Sequence, residues 1–277
     1  MNAITVDQTA RTGSRRTGSG ESGSAARAIH NVALLTRMEL RLLRREPGVL
    51  VGLIGFPAVT VLVLAGVFGS RPDPDFGGVS PSQHYIVGYV GVVLASMGLV
   101  TLPGWLAERR ERGVLRRYRA SGVGAGTLLT GYIMLAAILG TLACAIVLAV
   151  GAGLYGISAP TDVLATVAWF VAGLGCFIAI GGALGVMMPS SRAAAALGNL
   201  LFVPMFLLGG GGPPRDVMTG PMRTISDVMP LSHLVGGLRL SWLGTTDDPH
   251  VLLWPVLVAL TATALAVRIG RRRLGSR

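Results

Sequence analysis

The stretch HYIVGYVGVVLASMGLVTLPGWLAERRERGVLRRYRASG, residues 84–122, changes abruptly from an apolar run to a charged one. Its first part, 84–107, carries no Arg, Lys, Asp or Glu and exceeds the ~20 residues that a helix needs to cross the hydrocarbon core of a bilayer. Its second part, 108–122, contains six arginines and two glutamates, a charge density that keeps it out of lipid. The stretch therefore predicts a membrane-spanning helix that runs into a charged segment at one face of the membrane.

Other parts of the chain repeat the apolar pattern. Five further runs of similar length cover residues 48–69, 126–155, 163–188, 193–212 and 251–267. Hydrophobic residues make up 51% of the 277 residues, charged residues make up 13%, and the mean hydropathy is +0.63, which is a membrane composition. The runs lack the alternation of a barrel strand, which excludes an outer-membrane barrel. We therefore predict an all-α membrane protein with six transmembrane helices.

The arginines predict the orientation of these helices, because cationic residues are retained on the cytoplasmic side. All 24 basic residues are arginine, and twenty of them fall in the N-terminal tail up to Arg45, in 108–119, at Arg192 and in the C-terminus from Arg268. The opposite loops hold only Arg71, Arg215, Arg223 and Arg239. Both termini are thus expected in the cytoplasm. The net charge of +11 follows from this topology and does not require nucleic-acid binding.

The termini differ from the apolar body. Residues 1–28 are rich in Gly, Ser, Thr and Arg and predict a disordered cytoplasmic tail. Residues 29–47 predict an interfacial amphipathic helix with Val32, Leu35, Met38 and Leu42 on one side, or else a cytoplasmic extension of the first span. The transmembrane domain is expected over 48–270, and 271–277 form a basic cytoplasmic tail.

Several kinds of site are excluded by residues that the sequence lacks. Without any lysine, the chain has no GxxxxGK[ST] phosphate-binding loop. The GxGxxG match at 151–156 ends an apolar run and is not a dinucleotide site. Cys144 and Cys176 lie in apolar runs and are expected in the core. Because His84 is the one ionisable group in the six runs, and it stands at a boundary, an ion-coupled carrier is disfavoured. Any transport must draw its energy from another protein.

The charged segment has features of a protein contact. Glu108 is placed to pair with Arg112 at i+4, whereas Glu111 has no such partner and is followed by Val114 and Leu115. Projected as a helix, 108–119 places Tyr118 beside these apolar residues. Gly113 within a charged helix indicates a bend or a close backbone approach. The alternative is a solvated basic loop that only sets topology.

Three stretches carry a resemblance to the permeases of the type-2 ABC transporter family, which includes drug-export permeases of the daunorubicin kind. They are ERRERGVLRRYRAS at 108–121, with an E-x-G core, LLRREPGVLVGLIGFPAVTVLVLAGVFG at 42–69, and ISDVMPLSHLVGGLR at 225–239. The resemblance covers about residues 30–270. The chain departs from the family at Ser121-Gly122, where many members have Thr-Pro, and at Met229, where asparagine is usual.

The resemblance implies roles for two groups of residues. The ATPase-coupling group in 108–122 comprises Glu108, Glu111, Arg112, Gly113, Val114, Leu115 and Tyr118. The external gate region, 209–250, is expected to hold short re-entrant helices before the last span, and its gate residues are Pro230, Leu231, Ser232 and Arg239.

The resemblance also implies partners. The chain would be an exporter permease in a bacterial plasma membrane, with no enzyme activity, bound cofactor or metal of its own. ATP and Mg would bind to a partner ATPase subunit, and a second permease copy, most simply as a homodimer, would complete the path of an amphipathic or lipid-like substrate. The competing interpretation is a six-helix membrane interaction or immunity protein that transports nothing.

Overall fold

A computed structural model describes three parts of the chain. They are residues 55–113 without 77, residues 125–244 without 214, and, near the N-terminus, residues 30, 32–34, 36–38, 40 and 41. Every regular element within these residues is helical. The predicted all-α class is therefore confirmed. The predicted tails 1–28 and 271–277 lie outside the described residues.

Eight α-helices follow one another in the described residues from 55 to 244. They are α1 (Phe56–Phe68), α2 (Pro81–Ser96), α3 (Leu102–Glu111), α4 (Ala125–Tyr155), α5 (Val163–Met187), α6 (Ser191–Gly209), α7 (Gly220–Val228) and α8 (Pro230–Leu243). Short 3-10 turns cover Pro74–Phe76 and Arg215–Val217. A π-helical turn, Met97–Thr101, joins α2 to α3, so that Pro81–Glu111 forms one continuous helix, called the central helix below.

Four helices in the described residues are long and apolar enough to cross a membrane. They are Pro81–Glu111, Leu129–Tyr155, Val163–Met187 and Ser191–Gly209, which correspond to the predicted second to fifth spans. The predicted first span, 48–69, is described only from residue 55 and contains α1. The sixth, 251–267, lies outside the described residues. The count of six spans therefore stays a prediction.

The central helix is the core of the fold. It is surrounded by α1, α4, α5, α6 and α8, and its apolar residues are buried around its whole circumference, as expected of a helix without a polar face. Tyr89 and Leu94 are among the largest fully buried side chains. Leu231, Leu234 and Leu238 of α8 pack into the same cluster. The central helix thus connects the charged segment at its Glu111 end with α8 at its Pro81 end.

Glycines let the neighbouring helices approach the central helix closely, as small residues commonly do between membrane helices. A Cβ on Gly181 would lie 1.9 Å from the carbonyl oxygen of Gly98, and a Cβ on Gly198 would lie 2.0 Å from that of Leu99. Both carbonyls belong to the π turn. Pro103, which follows this turn, has no N–H to donate to a carbonyl one turn back. Helices α5 and α6 therefore cover backbone that a proline has altered.

The region before the last predicted span forms the two short helices α7 and α8, as the sequence predicts. Helix α8 runs beside α2 and α5, and its far end is bonded to the start of α5 by Asp162 N–H, which donates to the Ser241 carbonyl at 2.9 Å. The Trp242 indole donates to the Ser158 carbonyl at 2.8 Å. These bonds fix the end of α8 against the loop before α5. Whether the two helices re-enter the bilayer remains a prediction.

The N-terminal residues are helical wherever the structure describes them between 30 and 41, as predicted. The side that faces the bundle differs from the predicted apolar side, because Thr36 is buried while Met38 is exposed. Leu40 packs against a cluster formed by α3 and α4. The interfacial position of this helix stays a prediction.

Candidate functional site

The charged segment begins as the last turn of the central helix. Helix α3 ends at Glu111, and Gly113 adopts a left-handed conformation with φ +68°. The Gly113 N–H donates to the Arg110 carbonyl at 3.1 Å, which closes the helix end. The bend predicted at Gly113 is therefore present, whereas the single helix projected over 108–119 is not continuous. Val114, Leu115 and Tyr118 lie outside the described residues.

Arg110 caps the end of α5. Its Nη1 donates to the carbonyls of Gly185 at 2.9 Å and Val186 at 2.7 Å, and its Nη2 donates to the carbonyl of Met188 at 2.9 Å. The last carbonyls of a helix have no partner within the helix, and a cation there also complements the helix dipole. One arginine thus satisfies three acceptors at the end of α5.

Glu111 caps the start of α6. Its Oε1 accepts from the backbone N–H of Ser191 at 3.0 Å, and its Oε2 accepts from the Ser191 hydroxyl at 2.7 Å. The preceding Ser190 is the N-cap, and its hydroxyl accepts from the Ala193 N–H at 3.1 Å. Two oxygen-bearing side chains therefore bind the first amides of α6. An anion at this end is also favoured by the helix dipole.

The two consecutive residues hold opposite sides of one turn. We call Arg110, Glu111 and their bonds to α5 and Ser191 the clamp, and residues 188–190 the α5–α6 turn. Gly185 permits this arrangement, since a Cβ there would lie 2.7 Å from the Cβ of Leu106 in α3. The clamp joins the end of the central helix to both helices of the α5–α6 hairpin.

The neighbouring charges have other partners. The predicted Glu108 to Arg112 ion pair is confirmed, with Oε1 and Nη2 2.5 Å apart on the exposed surface. Such an exposed i, i+4 pair contributes only ~0.3–0.5 kcal/mol. The Arg109 guanidinium lies over the Tyr132 ring at 5.7 Å from its centroid, which attaches α3 to α4 by a cation–π contact.

The predicted gate residues gather at the opposite end of the central helix. Pro230 starts α8 and is buried, and Leu231 is fully buried beside Gly91 and Gly209. The Ser232 hydroxyl lies 2.9 Å from that of Ser226.

Arg239 extends this group to the start of the central helix. It donates through Nε to the His84 carbonyl at 3.2 Å and through Nη2 to the Gly210 carbonyl at 3.3 Å. Gly88 leaves room for the guanidinium, since a Cβ there would lie 2.7 Å from Nη2. At 1.5 Å per residue, about 40 Å of helix separates His84 from Arg110.

Two buried polar atoms near this end, His84 Nε2 and Tyr89 Oη, have no hydrogen-bond partner among the described residues. The His84 ring contacts those of Phe76 and Tyr85, and the Tyr89 ring contacts Phe206. The sequence shows His84 only as a residue at a span boundary. Within the described part of the chain, no group of three or more His, Cys, Asp or Glu residues is arranged to hold a metal ion.

Comparison with known families identifies the kind of protein that carries these two groups of residues at the ends of the central helix. The model of the ABC-2 type transporter family matches residues 30–243, most of the chain, including the clamp and the Pro230 to Arg239 stretch. The chain belongs to the ABC-2 type transporter family. A comparison with curated proteins gives no match.

As an ABC-2 type transporter, the protein is a multi-pass membrane protein and the permease component of an ABC-type transporter. Membership implies an ABC ATPase partner and embedding in a membrane. The resemblance found in the sequence is thereby confirmed at the level of the family. Sequence reasoning missed Arg110 and Ser191. The only local signal for the latter is the pair of serines after Pro189, which is typical of a helix start.

Proposed function

We propose that this chain is the permease subunit of an ABC exporter that moves an amphipathic small molecule, such as a drug or antibiotic, or a lipid-like substrate outward. The energy comes from ATP hydrolysed by a separate ATPase subunit. The observation that carries the proposal is the clamp, because it attaches the charged end of the central helix to α5 and α6. A force applied at this end therefore reaches three membrane helices at once.

The ATPase docks on the cytoplasmic segment 108–122. Arg112 is exposed there, and Gly113, with its positive φ, follows the end of the central helix. With no lysine in the chain, this subunit has no P-loop, so ATP and Mg bind to the partner and this chain holds no cofactor. In this proposal the subunit lies in the plasma membrane of a bacterium, with both termini in the cytoplasm.

The gate is placed at the outer end, where Leu231 and Arg239 of α8 contact α2 and the end of α6. Movement of the central helix and α6 together, relative to α8, changes these contacts directly. Two permease copies enclose the substrate path. In support, α5 and α6 present large apolar side chains on the surface of the described chain, among them Leu164 at 82% exposed and Leu200 at 69%. Such side chains suit contact with an apolar surface, which can be lipid, the last predicted span or a second copy of the chain.

ATPase association tests the proposal. The purified chain alone should hydrolyse no ATP, whereas co-expression with its ATPase subunit should give a stable complex whose hydrolysis is inhibited by vanadate. Strong hydrolysis by the isolated chain would contradict the assignment. Failure of the ATPase to bind in any nucleotide state would favour the non-transporting interaction or immunity protein. Export that stops on dissipation of ion gradients but continues with vanadate would favour the ion-coupled carrier.

A variant arm of the same experiment examines the segment itself. Gly113→Val places a β-branched residue at φ +68°, a strain of roughly 1–2 kcal/mol, and should weaken ATPase retention at an unchanged membrane level. Gly104→Ala is the control, since no other helix or side chain of the described residues lies within 4 Å of its Cβ position. The compounds that accumulate in cells lacking the protein would identify the substrate.

A further inference from the structure

The chemistry of the clamp is directed at backbone groups that α5 and α6 leave open at their ends. Arg110 gives three hydrogen bonds to carbonyls at the end of α5, and Glu111 takes two from Ser191 at the start of α6. The two charges have opposite signs, and each lies at the helix end whose dipole it complements. These partners are 75 to 80 residues distant in sequence. The clamp is therefore a tertiary connection.

Both carboxylate oxygens of Glu111 are engaged within the chain. The Ser191 N–H takes one and the Ser191 hydroxyl takes the other, so the carboxylate does not need a donor on another protein. We infer that Glu111 and Arg110 are positioning residues that transmit movement of the ATPase-contacting segment to α5 and α6, and that Glu111 acts through Ser191 and not through a contact with the ATPase. This inference rests on the proposed function.

Close contacts elsewhere make the connection stiff. Between the clamp and the π turn, Gly185 lies against Leu106, Gly181 against Gly98, and Gly198 against Leu99, each too close to admit a Cβ without a shift. These contacts join α5 and α6 to the part of the central helix between the π turn and Glu111. Because packed backbone cannot slide without steric overlap, a displacement of α3 displaces α5 and α6 with it. The clamp extends this contact to the point where the ATPase acts.

Three substitutions separate this role from a general effect of charge. Glu111→Ala removes both acceptors. Glu111→Gln keeps an oxygen for the Ser191 N–H and offers an amide to the Ser191 hydroxyl, so it should preserve the connection. Glu108→Ala removes the same charge one turn earlier, where the partner is Arg112 of the same helix end.

Hydrogen–deuterium exchange of the full chain in detergent measures the connection. In the chain alone, Glu111→Ala should raise the exchange rate of amides 190–195 about tenfold, because the carboxylate no longer protects the first turn of α6. Glu111→Gln and Glu108→Ala should leave that rate within a factor of about two of the native value, the size of a modest change in one neutral hydrogen bond.

The complex with the co-purified ATPase then tests transmission. On trapping with ATP and vanadate, exchange in the native complex should change at both 108–113 and 187–195. In Glu111→Ala it should change only at 108–113, and Glu111→Gln should restore the response at 187–195. A native response at 187–195 in Glu111→Ala, or loss of ATPase binding in that variant with native exchange at 190–195, would overturn the inference. No response at 108–113 in the native complex would instead contradict the proposed docking site, while the comparison in the chain alone would still decide on the clamp.

Discussion

Arg109, Arg110, Glu111 and Arg112 stand next to one another, yet each has a different kind of partner. Arg112 pairs with Glu108 one turn away, Arg109 lies over the Tyr132 ring, and the central two bind the ends of α5 and α6. The sequence predicts the first pair because helix geometry alone brings i and i+4 together. It predicts none of the others, since their partners become neighbours only when separate helices pack.

Met229 stands at the start of a helix, where its side chain cannot form the capping hydrogen bond that the backbone geometry would accept. It is the N-cap of α8, with φ −84° and ψ 128°, and makes no side-chain capping bond. Asparagine, which the sequence resemblance implies at this place, is among the best N-caps because its side-chain oxygen accepts from an amide of the first turn. The backbone is therefore already arranged for a cap.

Met229→Asn should stabilise the protein by ~0.5–2 kcal/mol, the range of an N-cap side chain relative to a residue that cannot cap. The measurement is thermal unfolding in detergent, with Met229→Leu as the matched control that keeps an apolar side chain. An unfolding temperature for Met229→Asn at or below that of Met229→Leu would show that the cap is not formed.

At the scale of elements, the central helix is longer than its apolar run. The sequence predicts a span over 84–107, and the structure extends the helix from Pro81 to Glu111. Ser80 accepts from the Gln83 N–H at its start, and charged residues continue the helix at its end until Gly113. Hydropathy identifies the part of a helix that lipid can cover, whereas capping decides where the helix ends.

The π turn and the contacts around it depend on neighbours. Pro103 indicates a local change in a helix, but the shift to π geometry at Met97–Thr101 is accompanied by the packing of Gly181 and Gly198 on its carbonyls. Many glycines in the sequence look alike, and only the packing shows which of them are needed. Gly181 and Gly198 lie against backbone carbonyls, whereas Gly175 has no such contact among the described residues.

Gly181→Ala should destabilise the protein by about 1–3 kcal/mol, the usual cost of overpacking, because its Cβ would lie 1.9 Å from the Gly98 carbonyl oxygen. Gly175→Ala in the same helix is the control, because among the described residues no neighbouring helix lies within 4 Å of the added Cβ. Unfolding temperature and the fraction of monodisperse protein in detergent are the readouts. Equal values for the two variants would mean that α5 does not contact the π turn so closely.

At the scale of the whole molecule, the arginine distribution predicts which end of the central helix faces the cytoplasm. Single cysteines at exposed positions Ser70, Thr224, Arg112 and Arg192, in a variant without Cys144 and Cys176, test it with a thiol reagent that does not cross membranes. The cysteines that replace Ser70 and Thr224 should react in intact cells, and those that replace Arg112 and Arg192 only after permeabilisation. Twenty of the 24 arginines fall on the side of Arg112 and Arg192, which is therefore predicted to be cytoplasmic. Labelling, in intact cells, of the cysteine that replaces Arg192 would contradict the predicted topology.

From the sequence, the charge run located the start of the charged segment, 108–113, and the family resemblance pointed to Pro230 to Arg239. The apolar runs showed that the protein is helical, is embedded in a membrane and has the four spans that the structure describes. These properties depend on the transfer of apolar residues from water to lipid, which is additive along one helix and needs no knowledge of its neighbours. The packing of the helices was needed to show that Arg110 and Glu111 bind the ends of α5 and α6, that α8 lies beside the central helix, and which glycines permit close contact. Hydrogen bonds and packing between helices depend on distances of a few ångströms between residues far apart in sequence, and folding alone sets those distances.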